Sequence, residues 1–429
     1  MRSCQLSTST HVLCHAVGEI DCIPDPLTNS SIIPSVVSFL EISERPKGKK
    51  EPSTLEPHPS HVIVGQKAKQ RIETHPAQTF YHAKRVLGRQ SDESAVGELQ
   101  GEVEFSVKPT EDGPVFELSH DGSLLSVAPQ QVGAYVVNHL VEVSKQFLGH
   151  DNINSAVIAV PAKFNAQQRI KTAEAFKMAG ITVTRTLEEP VAAALAYGLH
   201  KKPGVDHILV YDFGGGTLDV SLLHVTDGFV DVLGSDGDDE LGGADFDAAI
   251  SHHLLSTHRP VVDAVTTALN GLEGQTEEQF STTCPALKST PLCSLSSFHT
   301  IGEKLKIELS SFQGKDGVAQ RTCMTAKQAT YASHEELCSA LQPVELLLTT
   351  EDFNSVAQPL YQRSVLPVTR LLYDLGLHRD EIDEVVMVGG TTRMPQIRDL
   401  VKEAMGVESL NTHIDPDITV AYGAASVVD

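Results

Sequence analysis

The chain has 429 residues, 41% of them hydrophobic and 21% charged, a globular composition too long for one ordinary domain. Its 33 Lys and Arg face 56 Asp and Glu, and the net charge of -23 argues against nucleic acid as the main partner, since a phosphate backbone selects basic surface. No apolar run is long enough to cross a membrane, and the seven cysteines contain no C-x-x-C pair, which excludes the common zinc and dithiol motifs and suits buried or incidental thiols.

Residues 1–30 show no clear period. They carry one glycosylation sequon, Asn29-Ser30-Ser31, and no apolar segment of a secretory signal. Residues 31–41 read as a strand, 42–60 as a solvated insertion rich in Pro, Lys and Glu, and 61–65 as a short strand. A helix is expected over 66–74, and 76–89 form a basic segment. Residues 100–127 alternate as short strands with Asp-Gly turns at 112–113 and 121–122. Residues 129–149 make an amphipathic helix, with Val132, Tyr135, Val136, Leu140 and Val143 on its apolar side.

From here the order becomes informative. Residues 155–160 are a strand closed by Pro161. Asn165 caps a helix that ends at Gly180, residues 181–187 return as a strand, and Glu188-Glu189-Pro190 opens a second helix. Near the end of the chain a strand at 384–388 meets Gly389-Gly390. Met394-Pro395 opens a helix, and Asp415-Pro416-Asp417 opens a last one. Both series finish in similar helices, containing Ala196-Tyr197-Gly198 and Ala421-Tyr422-Gly423. An internal duplication of α/β units implies two related lobes and a ligand cleft. Between the series, 245–255 and 301–311 read as helices and 350–376 as a long one. Residues 282–300, rich in Ser, Thr, Pro and Cys, read as an irregular surface insertion.

The stretch with most chemistry is 207–224. Ile208, Leu209 and Val210 read as a buried strand ending at Asp212, and Leu218, Val220 and Leu222 alternate as a second strand. Gly214, Gly215 and Gly216 therefore join strand to strand, which excludes the Walker and dinucleotide loops, because both of those run from strand into helix. A glycine hairpin tip still binds anions: its N–H groups converge, and no Cβ keeps a phosphate away. Thr217 adds a hydroxyl. Asp212 and Asp219 supply the carboxylate oxygens that a hydrated Mg²⁺ takes beside phosphates. Lys84 is a candidate for neutralising developing charge, and Glu189, at a helix start, for ordering the attacking water. The bland alternatives are a tight turn, a surface lysine and a helix cap. Gly389-Gly390-Thr391-Thr392-Arg393 and Gly242-Gly243 offer further places for close ligand approach, or simply tight turns.

The hairpin at 212–219 closely resembles the second phosphate motif of the 70-kilodalton heat-shock protein family. His82-Ala83-Lys84-Arg85-Val86-Leu87-Gly88 resembles its lysine segment, which makes Lys84 the counterpart of a catalytic lysine. Val160-Pro161-Ala162-Lys163-Phe164-Asn165 with Arg169 resembles the segment that relays nucleotide state, implying that role for Pro161 and Arg169. Glu188-Glu189-Pro190-Val191-Ala192-Ala193-Ala194 puts Glu189 on the family's catalytic glutamate. Leu241-Gly242-Gly243-Ala244-Asp245 and Val388-Gly389-Gly390-Thr391-Thr392-Arg393 resemble its adenosine-contacting motifs. Ile414-Asp415-Pro416-Asp417 resembles the lead into its closing helix. Glu303, Lys306 and Ser310 match its adenosine helix, but Ile307 stands where an arginine that stacks on adenine is usual, so weaker nucleotide affinity is expected. Its opening Asp-Leu-Gly-Thr-Thr hairpin, the first phosphate motif, has no counterpart before Asp21.

The resemblance spans about residues 25–425. It implies the actin/hexokinase-like (ribonuclease H-like) fold: an α/β, duplicated, two-lobe nucleotide-binding architecture. The first lobe is expected over 1–203 (core 1–40 and 128–203, inserted subdomain 41–127). The second is expected over 204–429 (core 204–244 and 350–429, inserted subdomain 245–349). ATP/ADP and Mg²⁺ are the implied cofactors. Co-chaperones, nucleotide-exchange factors or ubiquitin-like proteins are the implied partners. Residues 197–201 and 217–223 are most similar to a microsomal member that lacks a peptide-binding domain, which implies the endoplasmic-reticulum lumen; the N-terminus as written implies the cytoplasm. The main expectation is a chaperone-like protein with weak Mg-dependent ATP hydrolysis. The alternative is a non-catalytic interaction protein, and a small-molecule kinase is less supported because no sugar-binding signature is present.

Overall fold

The computed structural model describes residues 3–6, 12–16, 19–40, 61–72, 75–91, 93–120, 123–272, 280–281, 283–313, 315–328 and 330–427. The expected insertion at 42–60 and the Asp-Gly turn at 121–122 lie outside the described residues. The chain forms two compact units. One comprises Met1–Val205, Leu223–Val232 and His413–Asp429, the other Asp206–Leu222 and Leu233–Thr412.

The first unit opens with an antiparallel meander, β1 (Ser3–Leu6), β2 (Val12–Ala16) and β3 (Glu19–Cys22). No periodicity marks it in the sequence, because each strand is only four or five residues long, too short for an alternation to stand out. Strand β4 (Val37–Phe39) pairs on either side with β5 (Val62–Val64) and β6 (Thr79–Phe80). It is shorter than the expected 31–41, and Pro34, which has no N–H to give a ladder, lies just before it. Helix α1 (Gln66–Lys69) is a single turn where a helix over 66–74 was expected. Then come α2 (Ala83–Val86), α3 (Ser94–Glu102) and the meander β7 (Val107–Lys108), β8 (Val115–His120) and β9 (Ser123–Val127). Phe39, Phe80, Phe105 and Phe116 are fully buried in this part, their rings meeting tilted or edge-on.

Helix α4 (Pro129–Leu148) stops at Gly149, which takes the left-handed conformation that favours glycine. Strand β10 (Ser155–Val160) lies beside β1 and pairs in parallel with β11 (Thr182–Glu188). Helix α5 (Ala166–Met178) bridges them, and α6 (Glu189–Ala196) follows. Asn165 caps α5 reciprocally with Gln168, as its sequence position indicates.

The second unit is built on the sheet order β14-β13-β12-β17. Strands β12 (His207–Phe213), β13 (Leu218–Thr226) and β14 (Phe229–Asp238) form a second meander, and β17 (Glu384–Val388) runs parallel to β12. Ile208 to Tyr211 are all buried, the continuous apolar run of a strand covered on both faces. Around it lie α7 (Gly243–Thr257), α8 (Arg259–Asn270), α9 (Leu295–Ser311), β15 (Val318–Thr325), α10 (His334–Ala340), β16 (Gln342–Thr349), α11 (Thr350–Leu375) and α12 (Pro395–Met405). The chain then enters the first unit as α13 (Thr419–Ser426), which packs on α6 so closely that a Cβ on Gly423 would sit 1.7 Å from the Ala192 carbonyl oxygen. The two Ala-Tyr-Gly helices that looked alike in sequence thus touch backbone to backbone.

The duplication extends further than the sequence pattern. In both series a three-stranded antiparallel meander is bordered along its first strand by a later one, β10 or β17. That later strand is paired in parallel with the next extended segment: β11 in one case and, in the other, a single bridge from Val386 to Asn411.

Residues 282–300 are not an irregular surface insertion. Cys284, Leu287, Leu292, Cys293 and Phe298 are buried in the core of the second unit. The cysteines are not incidental thiols either, for Cys284 is bonded to Cys338 and Cys293 to Cys323. Partners 54 and 30 residues apart leave no spacing signature, which is why the sequence misreads them. The bridges fasten the start of α9 to β15 and the preceding segment to α10. Closing such loops restricts the unfolded chain and contributes roughly 2–4 kcal/mol each. Dithiothreitol is therefore expected to lower the denaturation midpoint of the second unit by a corresponding amount. An unchanged midpoint with the four thiols newly titrating would contradict this.

Candidate functional site

The Gly214–Thr217 turn is closed by the Gly214 N–H, which donates to the Thr217 carbonyl at 3.0 Å. Its carbonyls are then taken up from one side. Gly214 O accepts from the Gly243 N–H at 3.1 Å and from Thr391 Oγ1 at 2.8 Å, and Gly215 O accepts from the Ala244 N–H at 2.9 Å. The start of α7 and the turn after β17 thus hold the hairpin by its acceptors. Among the described residues, the N–H groups of Gly215 and Gly216 donate to no protein acceptor, and a Cβ on either glycine would meet nothing within 4 Å. The exposed tip is an amide-lined opening of the kind that takes an anion. Asp212, at the end of β12, and Asp219, at the start of β13, flank it half-buried.

The base of the hairpin, by contrast, has no room. A Cβ on Gly242 would lie 2.3 Å from Gly215 O. Gly389 has φ +82, and its Cβ would lie 2.4 Å from Phe213 O and 2.8 Å from Asp212 Oδ1. A Cβ on Gly243 would lie 2.8 Å from Thr391 Oγ1 and 3.3 Å from Lys306 Nζ. These glycines bring neighbouring backbones together. After Gly389, residues Gly390–Arg393 form one short helical turn, fastened by Thr392 Oγ1 donating to Gly389 O at 2.7 Å, with Arg393 exposed.

Helix α9 joins the same locale through Lys306, whose ammonium donates to Gly243 O at 2.9 Å and lies 2.8 Å from Asp247 Oδ1. The aligned hydrogen bond goes to the carbonyl, and Asp247 Oδ1 is buried without one of its own. Burial raises the Asp247 pKa, and it outweighs the lowering by Lys306. Glu303 lies one turn before Lys306 and adds to the upward shift on Asp247; Ser310 Oγ, one turn after, donates to Lys306 O at 2.8 Å. Ile307 is 60% exposed on this helix.

A second cluster forms within the first unit. Lys84 on α2 places its Nζ 3.1 Å from Oε1 of Glu189, the largely buried first residue of α6, and 5.9 Å from the centre of the Phe164 ring. Arg169 on α5 donates through Nε to Phe164 O at 2.9 Å and through Nη2 to Glu188 Oε1 at 2.8 Å. Gly88, at φ +69, lies against the start of α5, where its Cβ would be 2.7 Å from Gln168 Cα. The lysine segment, the Pro161–Arg169 turn and the Glu188-Glu189 helix start, read separately in sequence, are thus one packed group. Asp417 lies apart from it in sequence, in the turn before α13, its N–H donating to Asp415 Oδ1 at 3.0 Å.

Residues 32–278 and 288–429 match the family model described as Hsp70 protein. The chain belongs to the Hsp70 family. Chaperone protein DnaK of Prochlorococcus marinus (strain MIT 9515) is 38% identical over 363 residues, which are 85% of this chain and 51% of that protein. The chain therefore spans about half the length of this Hsp70 relative.

Within this Hsp70 chain, the expected hairpin and adenosine-motif residues Asp212, Gly214, Gly215, Gly216, Thr217, Asp219, Gly242, Gly243, Glu303, Lys306, Ser310, Gly389, Gly390, Thr391 and Arg393 all belong to the second unit. Lys84, Pro161, Arg169, Glu189 and Asp417 belong to the first. Sequence reasoning passed over Asp247, although a signal was present. It lies four residues after Gly243 on the same helical face as Ile250 and Leu254, and a carboxylate on an apolar stripe calls for a partner. Glu188, which the sequence marks only as part of a helix start, is the ion-pair partner of Arg169.

The contacts of Gly242 and Gly389 predict that alanine at either position forces the α7 start or the β17 turn off the hairpin. Each is expected to lower unfolding free energy by about 1–3 kcal/mol in urea denaturation. Wild-type midpoints for both variants would refute the close packing described.

Proposed function

We propose that this protein is an ATP-binding, chaperone-like member of the Hsp70 family with the actin/hexokinase-like nucleotide fold, and that it hydrolyses ATP weakly. The observation that carries the reading is the hairpin of the second unit, with its carbonyls bound and its tip amides open. Phosphates of ADP or ATP would be held at Gly215, Gly216 and Thr217, with Lys306, Glu303 and Ser310 serving the adenosine side. The donor chemistry fits Mg²⁺: Asp212 and Asp219 offer the oxygens that this ion takes, through its own waters, when phosphates provide its other ligands. Bound there, Mg²⁺ would neutralise phosphate charge. Lys84 and Glu189 are the residues assigned to hydrolysis, the lysine to neutralise developing charge and the glutamate to orient a water. Pro161 and Arg169 are assigned to signalling nucleotide state, because Arg169 ties the turn that follows β10, through the carbonyls of Ala162 and Phe164, to the Glu188-Glu189 helix start. Protein folding or quality control is the process in which such an activity would act.

Two observations favour a second reading, a non-catalytic interaction protein that binds co-chaperones, nucleotide-exchange factors or ubiquitin-like partners. The residues joining β1 to β2, Ser7-Thr8-Ser9-Thr10-His11, include no glycine, so the first hairpin lacks the chemistry of the second. An exposed Ile307 also offers no guanidinium to stack on adenine. The two disulfides support an oxidising compartment, in keeping with the microsomal member of the family.

Gly216→Ala separates ligand effects from folding effects, because its Cβ enters open space. Its stability is expected to stay within about 0.5 kcal/mol of wild type. Its affinity for Mg·ADP is expected to fall at least about tenfold in calorimetry, or about 1.4 kcal/mol. Unchanged ADP binding in a stable variant would overturn the phosphate assignment, and no Mg·ADP binding by the wild type would favour the interaction protein.

A further inference from the structure

We infer that Asn29 is an N-glycosylation site. Asn29-Ser30-Ser31 is the one Asn-X-Ser/Thr triplet in the 429 residues, so the proposal concerns a single position. The structure presents it at the tip of a pinned turn. Ile23, Asp25 and Ile33 are buried at its base. Asp25 Oδ1 accepts from the Leu27 N–H at 2.7 Å, the Asn29 N–H donates to Asp25 O at 2.8 Å, and the Asp25 N–H donates to Ser30 O at 2.8 Å. Residues 26–29 at the tip are exposed, and Leu27 is 57% exposed. Asn29 has φ 56, a left-handed turn conformation that asparagine tolerates. Among the described residues its side-chain amide has no protein hydrogen bond, so the nitrogen that would carry a sugar is exposed and unspent. A bulky glycan there would cover Leu27 without displacing the core.

An independent feature of the chain places it where such a modification happens. The chain closes two disulfides, Cys284–Cys338 and Cys293–Cys323, with Cys284, Cys293 and Cys323 buried and Cys338 partly so, and structural disulfides form in the oxidising compartments through which glycosylated proteins pass. The inference rests on that compartment reading. The co-reactant is a lipid-pyrophosphate-linked oligosaccharide. The Asn29 amide nitrogen forms a bond to the anomeric carbon of the first sugar, and the bond from that carbon to the phosphate oxygen breaks. The lipid pyrophosphate leaves with the electron pair, one amide proton is released, and nothing is oxidised or reduced. The Ser31 hydroxyl supplies the third position of the acceptor triplet.

The test is to express the full chain behind a cleavable secretory signal in animal cells. Disulfide closure is read by thiol labelling, and the glycan by gel mobility before and after peptide N-glycosidase. The expected result is one discrete upward shift that the glycosidase removes. It should be lost in Asn29→Gln and in Ser31→Ala, which leaves the turn's left-handed residue untouched, and retained in Ser31→Thr. An unshifted band with both disulfides closed would overturn the glycosylation site and leave the compartment reading standing. An unshifted band with the cysteines free, despite entry into the lumen, would overturn both.

Discussion

The hydrogen bonds that hold the Gly214–Thr217 turn by its carbonyls are the constraint on which the second unit depends. A glycine loop left to itself samples many conformations and loses much entropy on ordering. Here the Gly243 and Ala244 N–H groups and the Thr391 hydroxyl fix the acceptors of the turn from one side. The donors of a helix's first turn have no partners within the helix, so α7 and the hairpin complete one another. The same contacts explain why Gly242 and Gly389 must be glycine while Gly215 and Gly216 have space around them. One set of glycines lets backbones meet; the other leaves room for a ligand.

Behind this base stands a buried charge pair. Lys306 crosses from α9 to the α7 start and divides its ammonium between a backbone carbonyl and Asp247. Burial works against ionised Asp247, and the pair is therefore a positioning device more than a source of stability. The start of α9 is itself fastened by the Cys293–Cys323 bond, so the helix that carries Glu303, Lys306 and Ser310 is anchored covalently at one end and electrostatically in its middle. In the first unit a similar logic appears at lower cost. Glu189 and Glu188, adjacent at the α6 start, pair with Lys84 and Arg169 from two other segments and register three motifs on one another.

Much of this was legible in the sequence for identifiable reasons. The β12–β13 hairpin follows from apolar strands interrupted by three glycines, and α5, α12 and the long α11 follow from their caps and periodicity. Helix starts marked by carboxylate and proline, such as Glu189-Pro190, were also clear. What escaped reading depends on distant partners. Residues 282–300 look like surface because Ser and Thr dominate them, yet Cys284 and Cys293 reach partners far along the chain and carry their apolar neighbours inward. The β1–β2–β3 meander escaped because its strands are too short to establish a period. The duplication was visible in its helices and hidden in its first strands, and the backbone supplies the missing hairpin there without the glycines. Asp247 belongs to no motif of its own, and only its place on the apolar stripe of α7 marks it.

Amide hydrogen exchange at the hairpin tests the central claim most directly. With Mg·ADP the Gly215 and Gly216 amides are expected to exchange more slowly, with little change elsewhere in β12 and β13. Adenosine without phosphate should leave both amides as they are in the free protein. Equal exchange at Gly215 and Gly216 with and without saturating Mg·ADP would show that the open amides are not a phosphate cradle.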